Sequence, residues 1–233
     1  MNSYYFVFDI VACINTFLLI LYGFLGVFVL KNKCGRRLKI VAFYLLFSCF
    51  FDVLSQIVSI YLIPGYLEDS LFLSILYRLG ELLIVGYLLN TFWLKSRFVW
   101  WMIGAGAVYL TCDFFSYRNN GVLNYVAYSQ IFANVVLCVL AVSQLIAQLR
   151  GNRAFSTTAQ ILGMIFLSYF SIHVIYTVIQ NFIINQSFSD QSFVLFYCSY
   201  VLLHICYYFS LAFVLFKALK NSNRKKVRSL SSI

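Results

Sequence analysis

Seven stretches of this chain, at residues 4–30, 40–62, 71–94, 98–116, 124–149, 159–184 and 193–216, are apolar over the length a helix needs to cross a bilayer. A hydrocarbon core of about 30 Å takes about 20 residues at a rise of 1.5 Å each, and the short fourth run still suffices. The alternating segments of about ten residues that build a membrane barrel are missing. Helices are then the elements by which these runs satisfy their backbone N–H and C=O groups in lipid. The expected fold class is an all-α membrane protein, a seven-transmembrane-helix bundle. Composition agrees, because 63% hydrophobic and 10% charged residues leave too little polar surface for a water-soluble domain.

Charge orients the expected bundle. Of 17 Lys and Arg residues, 15 fall in four segments that share one side: Lys31 to Lys39, Lys95 to Arg97, Arg150 to Arg153 and Lys217 to Arg228. By the positive-inside tendency the amino terminus faces out and the carboxyl terminus lies in the cytoplasm. Residues 1–216 then form the transmembrane domain and 217–233 a basic cytoplasmic tail, polar enough to be mobile. Trp93, Trp100 and Trp101 are expected in an aromatic belt at the inner interface. The first run is too long for a cleaved signal, has no preceding basic residue and carries Asp9 near its start, so it is read as helix 1. The reading is an integral protein of a bacterial inner membrane. A net charge of +10 then means attraction to anionic lipid and a docking segment for a separate acidic signalling partner, with no nucleic acid implied. Six of the seven cysteines lie in spans, and neither a disulfide framework nor a paired metal motif follows.

Asp52, Glu81, His173 and His204 fall near the middle of four different runs. An ionisable group at that depth costs several kcal/mol unless it is paired, neutralised or hydrated, so each marks a candidate site. Span 2 aligns Ser48, Asp52, Ser55, Gln56 and Ser59 on one helical face. Arg78 and Glu81 stand three apart in span 3, close enough to pair. Asn134 adds an amide to span 5, while His173 is followed by Thr177, and Tyr197, Tyr200, His204 and Tyr207 form a stripe on span 7. The expected ligand or proton cavity comprises Asp52, Gln56, Arg78, Glu81, Asn134, His173, Tyr200 and His204. The plainer reading of the same residues is a buried ion pair with interhelical hydrogen bonds. His173 and His204, if they meet at mid-depth, would serve as haem or metal ligands or as proton carriers. A tetrahedral zinc would need Asp52 or Glu81 as well. No catalytic residue is assigned. Asp9 and Asp113 are further candidates toward the outer side, and Gly104 to Ala107 in span 4 read as small residues for close helix approach.

Spans 1–3 and 5–7 share an orientation around the fourth, and their polar residues match in depth. Asn15 precedes Lys31 by the same interval as Asn134 precedes Arg150, and Asp52 and His173 sit in the middles of the second members. This suggests a 3+1+3 parallel arrangement.

Two receptor families fit poorly. Trp93-Leu94-Lys95 stands where a rhodopsin-type G-protein-coupled receptor would end span 3 on an acidic-Arg-aromatic motif, and spans 5 to 7 carry no proline. Arg78-Leu79-Gly80-Glu81 resembles the Arg-x-x-acid element of microbial rhodopsins, yet mid-span 7 offers His204 in place of a lysine for covalent retinal. An acid in an aromatic-rich third span (Tyr77 to Tyr87), Ser168-Tyr169-Phe170-Ser171 in span 6, and His204 followed by Tyr207 and Tyr208 in span 7 carry another likeness. In these the chain resembles a group of uncharacterised seven-span proteins common in Bacteroidetes bacteria. That resemblance implies the fold and no particular activity. The leading expectation is a sensor or receptor-like module with a polar intramembrane cavity. Its alternatives are a haem- or metal-binding redox protein or enzyme, and a transporter or structural subunit.

Overall fold

The computed structural model describes the backbone of residues 3–32, 34–61, 67–120, 127–150, 157–185 and 190–230, and side chains within 6–7, 10–32, 34–58, 72–116, 127–150, 157–180, 191–192 and 194–222. Seven helices carry the apolar runs: α1 Ser3–Lys31, α2 Arg36–Tyr61, α3 Leu67–Leu89, α4 Arg97–Asn120, α5 Tyr128–Leu149, α6 Thr157–Asn185 and α7 Asp190–Leu230. Each is long and apolar enough to cross a bilayer. Helix α7 does not stop where its apolar run stops at 216. It continues through the basic segment to Leu230, because Lys and Arg are good helix formers and nothing there breaks the backbone ladder. Pro64 lies outside the described residues.

The turn between α3 and α4 is built locally. Asn90–Leu94 widens into a π-helical turn closed by Lys95 N donating to Asn90 O at 2.7 Å. Lys95 then adopts φ 52°, the left-handed region. The buried Asn90 side chain spans the reversal, accepting from Ser96 N at 2.9 Å and donating to Ser96 O at 3.0 Å.

Six helices close a ring in the order α1, α2, α3, α5, α6, α7, with α7 returning to α1 and α4 packed outside against α3 and α5. Exchanging α1, α2 and α3 for α5, α6 and α7 maps this order onto itself: α1–α2 becomes α5–α6, α2–α3 becomes α6–α7, and α3–α5 becomes α7–α1. Half of the membrane window of α3 is buried, the largest share of the seven, which makes α3 the central element.

The polarity of the bundle is that of a lipid-embedded protein. Phe17, Phe24, Trp101, Leu149, Leu195 and Phe213 face outward, while Arg78, Glu81, Asn134, Gln144, His173 and Thr177 are buried. Two expectations are adjusted here. Trp100 and Trp101 are exposed as a belt requires, but Trp93 is 1% exposed and belongs to the core. Of the two glycines in the small-residue stretch of α4, Gly106 mediates a close approach, since a Cβ there would meet Leu82 at 2.8 Å, whereas Gly104 faces open space.

Candidate functional site

The site is built outward from Glu81. On α3 the Arg78 side chain, one turn away, pairs with it through Nη1 and Oε2, and both residues are almost wholly excluded from the exterior. The other carboxylate oxygen accepts from Tyr44 of α2 and from Tyr77 of α3, the latter at 3.2 Å. With the Tyr77 proton directed at Glu81, the Tyr208 hydroxyl of α7, 2.7 Å away, is left to donate to Tyr77. Two hydroxyls and a guanidinium therefore converge on one carboxylate, which is how a buried charge is made tolerable.

Arg78 extends the network to the other half of the ring. Its Nη2 contacts His173 Nε2 on α6 and donates to Tyr200 OH on α7 at 3.1 Å. A guanidinium only donates, so Nε2 of His173 accepts and its proton sits on Nδ1. Nδ1 lies 3.0 Å from Thr177 Oγ1, which has already given its own proton to the His173 carbonyl at 2.8 Å. Asn134 Nδ2 of α5 donates to Thr177 Oγ1 at 3.1 Å and lies 3.0 Å from Nδ1, where two donors face each other and Thr177 is left as the acceptor for both.

His204 is held in the same manner. Its Nδ1 is 2.9 Å from the Tyr200 carbonyl, which can only accept, and Nε2 is 3.0 Å from Tyr169 OH. The two imidazoles are near neighbours, with ring centroids 5.5 Å apart. All four ring nitrogens already have protein partners, so ligation of a metal or haem iron would have to break these bonds. Among the described residues no three His, Cys, Asp or Glu side chains converge as metal ligands.

Asp52 belongs to a separate pairing. Its carboxylate accepts from Asn15 at 3.1 Å and Thr16 at 2.6 Å, both on α1, and has no bond to the Arg78 network. The two meet only across a cavity of ≈ 210 Å³, whose wall includes Asp52, Ser55, Ser74, Arg78, Tyr200 and His204. Asp52 lies sixteen residues beyond Arg36, about 24 Å along the helix, so the cavity extends from mid-bilayer toward the end away from the basic segments.

Of the eight expected cavity residues, Asp52, Arg78, Tyr200 and His204 line this cavity. Glu81, Asn134 and His173 stand behind it as buried partners, and Gln56 is not part of its lining. Asp113 bonds to Ser129 between α4 and α5, and the Asp9 side chain lies outside the described residues. Sequence reasoning passed over Tyr44, and it named Tyr77, Tyr169 and Tyr208 for the family likeness without placing them in the site. Tyr44 had a signal, since it stands one turn before Ser48 and two before Asp52 and so extends the polar stripe of α2.

The ring exchange also holds at the level of side chains. Asn15 of α1 bonds Asp52 of α2, and Asn134 of α5 bonds Thr177 of α6 beside His173. Tyr44 of α2 bonds Glu81 of α3, and Tyr169 of α6 bonds His204 of α7.

Fold and site together define the class: an integral membrane protein, a seven-helix bundle with a buried polar network beside an intramembrane cavity. No protein-family model, curated protein or solved structure matches the chain.

Proposed function

We propose that the protein is a membrane sensor or receptor-like module whose cavity takes up a small or amphiphilic ligand, or a proton, from the side opposite the basic segments. One observation carries this reading. Arg78 lines the cavity while bonded to Glu81, His173 and Tyr200. An occupant that engages the guanidinium or the Tyr200 hydroxyl competes with the bonds fixing α3 against α6 and α7. Shifts of about 1–2 Å between packed helices are a known means of carrying such a change across a membrane. A separate cytoplasmic signalling partner would read it at the basic loops and the continuation of α7. The charge asymmetry supports an outward amino terminus and a cytoplasmic carboxyl terminus. A bacterial inner membrane, and kinship with the seven-span Bacteroidetes group, are part of the same proposal.

The test uses Trp93, buried at the basic end, as reporter. In a reconstituted variant carrying W100F and W101F, Trp93 emission is followed against a panel of small solutes and across about pH 5–8, where histidine titrates. A response is expected, and filling the cavity with Ser55→Phe abolishes it while leaving the melting temperature within a few degrees. No response to any solute or pH, or a response untouched by Ser55→Phe, sinks the reading.

A further inference from the structure

A second cavity of ≈ 380 Å³ lies at the basic end, between the first turns of α2 and α6 and the π turn after α3. Arg36 and Arg37 line it on one side, Thr158 and Leu162 on another, and Phe92 and Trp93 along its floor. Both guanidiniums are positioned by neutral aromatic groups. Arg36 donates to Tyr87 OH at 3.1 Å, and Arg37 sits 5.4 Å over the Phe92 ring. No carboxylate of this chain is available to them nearby in sequence. The seven acids are Asp9, Asp52, Glu68, Asp69, Glu81, Asp113 and Asp190, and none falls in the four basic segments. Among the described residues the ion pair formed is that of Arg78 and Glu81, in the bundle interior.

Two helix starts add to this charge. The N–H groups of Arg36, Arg37 and Leu38, and those of Thr157 and Thr158, precede the first intrahelical bonds of α2 and α6, so they have no acceptor along their own helices. The positive ends of two helix dipoles thus flank a cavity already bearing two arginines. Its remaining wall is apolar, with Leu38 and Phe92 half-buried and presenting surface, and Trp93 and Leu162 buried behind them.

We propose that this cavity binds the phosphate of an anionic phospholipid headgroup. Arg36, Arg37 and the first turns of α2 and α6 hold the phosphate, and the acyl chains leave along the aromatic and leucine wall. The apolar wall at the membrane boundary is what favours a lipid over a soluble phosphate, for which it would serve no purpose. The site is independent of the cavity at Arg78 and does not rest on the sensor reading.

The full chain, purified in detergent, is examined by native mass spectrometry with phosphatidylglycerol, with phosphatidylcholine of the same chains, and with inorganic phosphate. The intact protein is expected to retain one phosphatidylglycerol with a preference of about tenfold or more over phosphatidylcholine. R36Q/R37Q brings that preference to parity, whereas K217Q/K220Q, which removes two charges at the same end away from the cavity, preserves it. Thr158→Trp, filling the cavity with both arginines kept, also releases the lipid. Parity in the unaltered protein overturns the proposal, as does equal loss in K217Q/K220Q, which would mean diffuse surface attraction. Displacement of the lipid by millimolar inorganic phosphate, or lipid retention unchanged in Thr158→Trp, overturns the assignment to a lipid.

Discussion

Glu81 and Arg78, three residues apart on α3, form an ion pair with both partners shut inside the bundle. Breaking such a pair by removing one charge leaves the other uncompensated and costs about 3–5 kcal/mol, while removing both is far milder. Glu81→Gln is therefore expected to lower unfolding free energy by about that amount, and R78Q/E81Q to recover more than half of it. Reversible denaturation in mixed micelles provides the measurement. Additive losses would show that the two charges are not coupled.

Asn134 and Asn15 occupy corresponding places in the ring, but their loads differ. Asn134 is fully buried and donates to Thr177, the group that also accepts from His173, whereas the partly buried Asn15 shares Asp52 with Thr16. Interhelical hydrogen bonds in membranes are worth about 0.6 kcal/mol on average and up to about 1.7. Asn134→Leu is expected near the upper figure and Asn15→Leu near the lower one. The same unfolding assay ranks them, and the reverse order would contradict the network drawn here.

The parts of this fold that lipid dictates were legible in the sequence, and the parts set by helix rotation were not. Seven apolar runs of spanning length force seven helices. The i, i+3 spacing of Arg78 and Glu81 forces their proximity on one helix, and matched depth brought His173 to His204. The bonding of Asp52 to α1 was out of reach, because α1 is apolar nearly all round and no face of it announces a partner. The tyrosines that complete the site were hidden among 18 in the chain, where an aromatic in a membrane span is first of all packing material. Gln56 shares a stripe with Asp52, yet a stripe has width, and the cavity reaches only part of it. The extension of α7 past its apolar run was illegible for the opposite reason: beyond the bilayer, lipid no longer constrains the backbone.

The reversal between α3 and α4 offers an opposed pair of outcomes. Lys95 holds a left-handed conformation that costs a residue with a Cβ about 1–2 kcal/mol and glycine little. Lys95→Gly is expected to stabilise the protein by about 0.5–1 kcal/mol after the greater freedom of glycine in the unfolded chain is counted. Asn90→Ala strips Ser96 of both side-chain bonds and is expected to cost about 1–3 kcal/mol. Melting temperatures of the two variants should move in opposite directions.

The proton positions on the two histidines follow from partners whose roles are fixed. Arg78 can only donate to His173 Nε2, and the Tyr200 carbonyl can only accept from His204 Nδ1. His173 is thereby neutral with the proton on Nδ1, the rarer tautomer for a histidine in water, and His204 likewise holds a proton on Nδ1. Solid-state nitrogen spectra of labelled protein in bilayers are expected to show two histidines with a protonated Nδ1, His173 with a bare Nε2. Tyr169→Phe removes the hydrogen-bond partner of His204 Nε2 and should shift that resonance alone, leaving His173 in place because Arg78 still holds it. An imidazolium pattern at His173 would mean that Arg78 does not donate to it, and the link from the cavity to α6 would fall with that bond.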